Sequence, residues 1–283
     1  MVQIDLYQPG KVSTSITFPS GWNELTLKEL HTIAQSILLN FKNATEAKAM
    51  VFLSIFKNRC KEAGLPQDYV KKLDAEDCAM KSIELTEFVY KANELTKQPY
   101  PVLQVAFNNC PLVPKKEMIG PEDDFNNLTA GEYEDCEIHY MQFREDPDPK
   151  HLAQMAAILY RPKDTKYLQF NAATNEYVKY DTEKVAKKLL ITARQQPWIL
   201  YTIYLWYIGC SNQLRLIFPQ TYSGGKQSEP DLLAFTKVIH AAAGPKNGNR
   251  QEVRCTLLKE LLFESEQEII KANELAEYYE RNK

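Results

Sequence analysis

One phrase occurs twice in this chain, and it constrains the architecture more than any other feature. Asn23-Glu24-Leu25-Thr26-Leu27-Lys28-Glu29-Leu30 returns about a hundred residues later as Asn127-Leu128-Thr129-Ala130-Gly131-Glu132-Tyr133. Both contain Thr-x-x-Glu. In such a box the threonine hydroxyl accepts from the backbone amide three residues on, and the glutamate reaches back to the threonine amide, so each copy marks the start of a helix. Apolar residues at Leu30, Ile33, Ala34, Ile37 and Leu38 follow the first box at i, i+3, i+4, i+7 and i+8, one face of a helix ending near Asn40.

Around these starts the chain reads as mainly α with a smaller β content (α+β), a multi-helix globular protein. Residues 2–18 alternate around Pro9-Gly10 and predict two short strands and a turn. A second helix is expected from a cap at Thr45 to about Arg59, stopped by Gly64-Leu65-Pro66. A third is expected over about 80–95, with Leu85, Phe88, Val89, Ala92 and Leu95 inward. Five prolines between Thr96 and Asn127 read as a long irregular crossing, which suggests regions 1–96, 97–127 and 128–283, with one continuous domain as the alternative. After Thr129 a helix should carry Tyr133, Cys136, Tyr140 and Phe143 on one stripe. It is broken by Asp146-Pro147-Asp148-Pro149, and the next helix, with Leu152, Met155, Ala156 and Leu159 inward, ends at Arg161-Pro162. A hairpin is expected over 166–181, and helices over about 182–195, 198–218 and 230–242.

The longest apolar run, Trp198 to Cys210, is about half the roughly 20 residues a bilayer span needs, so it reads as a buried helix whose Trp198, Tyr201, Tyr204, Trp206 and Tyr207 bring large contact areas with polar handles. The last segment reads as a helix of about 30 residues. Leu258, Leu262, Ser265, Ile269, Ala272, Ala276 and Tyr279 recur at the average 3.5 period of a helix that packs along another helix. That other helix is either in the chain's own core or in a partner. The candidate partner-binding residues are therefore Leu258, Leu262, Ile269, Ala272, Ala276 and Tyr279, with Trp198 and Tyr201 on the aromatic helix.

No chemistry-bearing motif competes with this reading. With 34 basic and 37 acidic side chains the formal charge is −3, which argues against a general nucleic-acid surface. Six scattered cysteines without C-x-x-C read as reduced residues, and Met1-Val2-Gln3-Ile4-Asp5 does not begin a signal peptide. The four histidines form no H-x-x-x-H pair, and Gly224-Gly225-Lys226 lacks what a phosphate loop needs. Acids crowd residues 122–148, and Asp135 and His139, with Glu134 or Glu137, would be the ligands of a divalent metal, which makes a metal-dependent cytosolic enzyme using the 122–151 acidic segment an alternative function. Glu134, Asp135 and Glu137 lie off the aromatic stripe and are expected to face water, so no metal or other cofactor is assigned. Arg161 is expected either to cap the helix it follows or to pair with this acidic segment.

The order of three motifs resembles a family. Trp22-x-x-Leu25-Thr26, then Asn127-Leu128-Thr129-x-Gly131-Glu132-Tyr133, then Leu152-x-x-Met155-Ala156-Ala157-Ile158-Leu159-Tyr160-Arg161-Pro162 is similar to uncharacterised proteins from the tail-gene regions of tailed phages and prophages of Bacteroidetes. The resemblance covers roughly residues 19–162. It implies a non-enzymatic, chaperone-like tail assembly factor or a structural subunit of the virion tail or neck, in the host cytoplasm during assembly or in the virion. The partners it implies are phage tail or virion proteins; a second copy of the chain is a further candidate, and the short apolar run and the net charge leave neither a membrane nor direct nucleic-acid binding expected. The resemblance brings no catalytic residues.

Overall fold

The computed structural model describes residues 1–6, 14–38, 44–65, 81–91, 93–105, 116–162, 185, 189, 192–223 and 234–282. The expected hairpin over 166–181 and most of the helix over 182–195 lie outside these residues. The fold is mainly α with two small antiparallel sheets. Contacts divide it into two compact units: Met1–Thr96 with Leu205–Asn212, and Lys97–Tyr204 with Gln213–Lys283.

In the first unit, β1 (Val2–Leu6) pairs antiparallel with β2 (Thr14–Phe18), Ile4 opposite Ile16. Alternation puts Ile16 and Phe18 inside and Ser15 and Thr17 outside. A 3-10 turn at Trp22–Glu24, with Trp22 buried, leads into α1 (Leu27–Leu38). The capping box is present: the Glu29 amide donates to Thr26 Oγ1 at 3.3 Å and the Thr26 amide to Glu29 Oε2 at 2.8 Å. Helix α2 (Ala44–Glu62) buries Val51, Phe52, Ile55, Phe56 and Cys60, and stacks Phe52 on Phe18 and Phe56, each at 5.6 Å between ring centroids. The helix as described begins at Ala44, one residue before the expected cap at Thr45. Gly64, at φ 71°, ends it in the left-handed conformation, with the Leu65 amide reaching back to Cys60 O.

The third helix ends earlier than its periodicity predicts. A helical stretch over 81–85 breaks at Thr86, α3 (Glu87–Tyr90) adds one turn, and Leu95 is buried outside any helix. Thr86 bonds its hydroxyl to Ser82 O, the side-chain-to-backbone competition that weakens helices at threonine. Residues 93–96 lie extended along Leu205–Asn212. Asn93 donates to Leu205 O at 2.7 Å, Trp206 Nε1 to Thr96 O at 2.9 Å and Asn212 to Asn93 O at 3.1 Å. A Cβ on Gly209 would collide with the Leu95 backbone, 2.6 Å from its nitrogen, so only glycine admits this approach.

The second unit corrects the reading of 97–127 as irregular. β3 (Val102–Val105) and β4 (Lys116–Ile119) pair antiparallel, with Leu103 opposite Met118 and both buried. The described prolines flank the strands instead of interrupting them: Pro99 and Pro101 precede β3 and Pro121 follows β4. A two-residue strand β5 (Arg161–Pro162) completes the order β3-β4-β5.

A 3-10 turn at Asp123–Phe125 then leads into α4 (Ala130–Glu145) through the second capping box, and α5 (Pro149–Leu159) starts at an Asp148 cap. Tyr133, Cys136 and Phe143 of the expected stripe are buried. Paired strands, a 3-10 turn with a buried aromatic (Trp22, Phe125), a boxed helix and a second helix thus occur in the same order in both units.

Helix α6 (Pro197–Ile217) is the buried aromatic helix, with Trp206 and Tyr207 fully enclosed. No helix among the described residues is long and apolar enough to cross a membrane. Short helices α7 (Pro219–Ser223), α8 (Ala234–Ala242) and α9 (Arg250–Cys255) lead to α10 (Leu258–Arg281). The final helix is therefore shorter than predicted. Asn249 caps α9 with its own box to Glu252, and the chain is extended at Thr256 and Leu257 before α10 begins.

Candidate functional site

The start of α10 is fixed by backbone. Leu257 forms an antiparallel bridge with Thr129; the Leu258 amide donates to Leu128 O at 2.8 Å and the Ala130 amide to Thr256 O at 3.0 Å. The second capping box therefore organises two helix starts, α4 and α10. Gly131 makes the approach possible, because a Cβ there would lie 3.0 Å from Arg254 O and 3.1 Å from Arg254 Cβ.

Around this junction the acids are internal, which corrects the expectation that they face water. Glu132 is 1% exposed and divides its carboxylate: Oε2 closes the capping box and Oε1 pairs with Arg161. Glu134 is buried between Arg250 and Arg254, and Arg254 Nη2 also reaches both oxygens of Asp135 at 3.0 and 3.1 Å. These acids lie off the aromatic stripe because a second stripe of α4 packs on α9. Removing a carboxylate's hydration is costly unless a cation and hydrogen bonds replace it, and the arginines do so here.

Arg161 thus pairs with the acidic segment, the second of its two expected roles. Among the described residues no group of three or more His, Cys, Asp or Glu side chains is placed to hold a metal ion. His139 stacks on His151 with centroids 5.9 Å apart; burial pushes the His139 imidazole below its ordinary pKa of 6.5, Gln142 partly opposes this, and the charge of His151 adds to it. The cleft between Ile119, Asn127, Leu159 and Arg161 holds about 20 Å³, room for about one water molecule.

Helix α10 then divides along its length. Its first turns are core: Leu258, Leu261, Leu262 and Glu266 are buried. The Glu266 carboxylate is destabilised by burial, but the amides of Gln220 and Thr221 and the Thr221 hydroxyl, all within 2.9 Å, hold its pKa below the ordinary value and tie α10 to α7. Ile269 is half-buried, and from Lys271 to Asn282 every residue is exposed. Leu275 is 55%, Tyr278 63% and Tyr279 60% exposed. The segment from Gln267 to Arg281 is about 22 Å of helix at 1.5 Å per residue.

Of the candidate partner-binding residues, the structure therefore separates two sets. Leu258 and Leu262 are withdrawn into the unit's own core and are closed to any partner. Ala272, Ala276 and Tyr279 are exposed on α10, with half-buried Ile269 at their head. Trp198 is half-buried, and Tyr201 packs edge-on against Phe143 at 5.6 Å and Tyr204 at 6.2 Å, so the aromatic helix spends Tyr201 on its own unit.

Leu275 was missed because it falls outside the 3.5 spacing. At 100° per residue, however, Leu275, Tyr279, Ala272, Ala276 and Ile269 lie within about 120° of one another, one apolar stripe wide enough to seat a helix. Glu268 stands at its proximal end, 3.4 Å from Lys246.

No protein-family model matches this chain, and no curated protein or solved structure matches it.

Proposed function

We propose that this chain is a non-enzymatic morphogenesis factor of a phage tail that works by protein–protein contact, receiving a helical segment of a tail or virion protein on the outer half of α10. The observation that carries this reading is the exposed apolar stripe of Ala272, Leu275, Ala276 and Tyr279 on a helix whose base is bonded into the unit. A helix that is rooted at one end and apolar along one outer face presents a pre-ordered surface, so a partner pays little conformational entropy on the receiving side. The phage setting rests on the resemblance of residues 19–162.

The test is co-expression of the full chain with the proteins of a tail-gene region, followed by affinity purification. Wild type should retain one tail protein in a discrete complex. Ala272→Asp with Tyr279→Asp should release it without changing the circular dichroism spectrum or the melting temperature, since both side chains face water. Retention by the double variant would remove α10 from the account. Stoichiometric presence of the chain in purified particles would make it a virion subunit instead of an assembly factor.

A further inference from the structure

The outer half of α10 carries a second pattern besides its stripe. From Gln267 to Arg281, Glu268, Glu274, Glu277 and Glu280 stand against Lys271 and Arg281, a formal charge of 2 − 4 = −2 on one short helical segment where the whole chain carries −3. Glu268 is 3.4 Å from Lys246, and Glu277 is paired with Arg281 at 3.1 Å. On the helical wheel Glu280 stands next to Ile269 at one margin of the stripe and Glu277 about 60° further round, while Lys271 and Tyr278 lie beyond the other margin.

We propose that the occupant of the stripe is a basic amphipathic helix, one with Leu, Ile or Ala along its docking face and Lys or Arg along its edges. This deepens the docking reading above and rests on it. Charges beside a helix–helix seam select partners by their sign, and an acidic edge favours a basic one. The same charges oppose a second copy of this chain, because two such segments would bring twice this negative charge to one seam. Tyr279 supplies contact area within the stripe, with the Tyr278 ring edge-on to it at 5.9 Å from beyond the margin, and a tyrosine keeps its hydroxyl wet while its ring covers an apolar neighbour. Lys or Arg stems from the partner would lie over Ala276 and Ile269 as their cationic ends reach Glu280 and, beyond it, Glu277.

The experiment uses the full chain and two fluorescently labelled helical peptides of about 15 residues, the exposed length at 1.5 Å per residue. Both have the same Leu/Ala docking face; one is edged with Lys and Arg, the other with Glu. Anisotropy titrations should give at least about tenfold tighter binding of the basic peptide at low salt, narrowing as salt screens the edge charges. Leu275→Asp with Tyr279→Asp should abolish that binding. Glu277→Lys with Glu280→Lys should weaken it about tenfold and admit the acidic peptide. Equal binding of the two peptides, no binding of either, or basic-peptide binding that survives the apolar double variant would overturn the proposal. So would a dimer, seen by light scattering, that Tyr279→Asp dissolves. A tail protein whose capture is lost in the apolar variant yet indifferent to the charge reversals would overturn only the basic chemistry and leave the docking reading standing.

Discussion

The two boxed helices differ in what they support. In the first unit Glu29 is fully buried, closes the box with Thr26 and accepts Arg59 on both oxygens at 2.9 Å, with Arg59 arriving near the end of the following helix. In the second, Glu132 closes the box with Thr129 and accepts Arg161, which arrives just after the following helix. One device thus serves twice: the glutamate that starts a helix is also the internal anion that the next helix's end must neutralise.

The residues between Thr and Glu then separate the two. Leu27-Lys28 in the first box leave that face exposed, whereas Ala130-Gly131 in the second are buried and let Thr256–Leu258 pair alongside. Two small side chains turn a helix start into a socket for the C-terminal helix.

The largest expected effect comes from breaking the shared device. Arg59→Met and Arg161→Met each leave a buried carboxylate without its cation and should cost about 3–5 kcal/mol in denaturant unfolding. A loss in one unit with no loss in the other would break the equivalence. Next comes the difference itself. Gly131→Ala forces a Cβ against Arg254 and should cost about 1–3 kcal/mol, while Lys28→Ala at the corresponding exposed site should stay within about 0.5 kcal/mol; equal effects would mean that the socket does not depend on Gly131. Thr26→Ala and Thr129→Ala should each cost about 1 kcal/mol by melting.

The smallest effect is a pH dependence common to both units. Burial lowers the pKa of His31 in the first and His139 in the second. The unfolded chain therefore binds these protons more readily, so stability is complete above the ordinary value of 6.5 and is lost as pH falls through the lowered folded values. His31→Gln and His139→Gln should each flatten the slope below pH 6.5, and an unchanged slope would place its source elsewhere.

Much of the frame was legible because it is local. A capping box lies within four residues, and the i, i+3, i+4 spacing on α1, α4 and α5 declares the inward face. The β3–β4 pair was missed because proline counts do not say whether prolines interrupt strands or flank them. The pairing of Glu134 and Asp135 with Arg250 and Arg254 joins segments more than a hundred residues apart, and nothing in the local sequence announces it. The 3.5 period of α10 identified a seam but not its cover: Leu258 and Leu262 meet the chain's own core, while Ala272, Ala276 and Tyr279 meet solvent.

Amide hydrogen exchange of the full chain, alone and with any tail-region protein that co-purifies with it, tests the proposed docking of a partner helix on α10 most directly. Amides from Ile269 to Arg281 should exchange quickly in the free chain and become protected in the complex, while Leu258–Glu266 stay protected in both. Unchanged exchange over 269–281 on complex formation, with new protection appearing elsewhere, would contradict it.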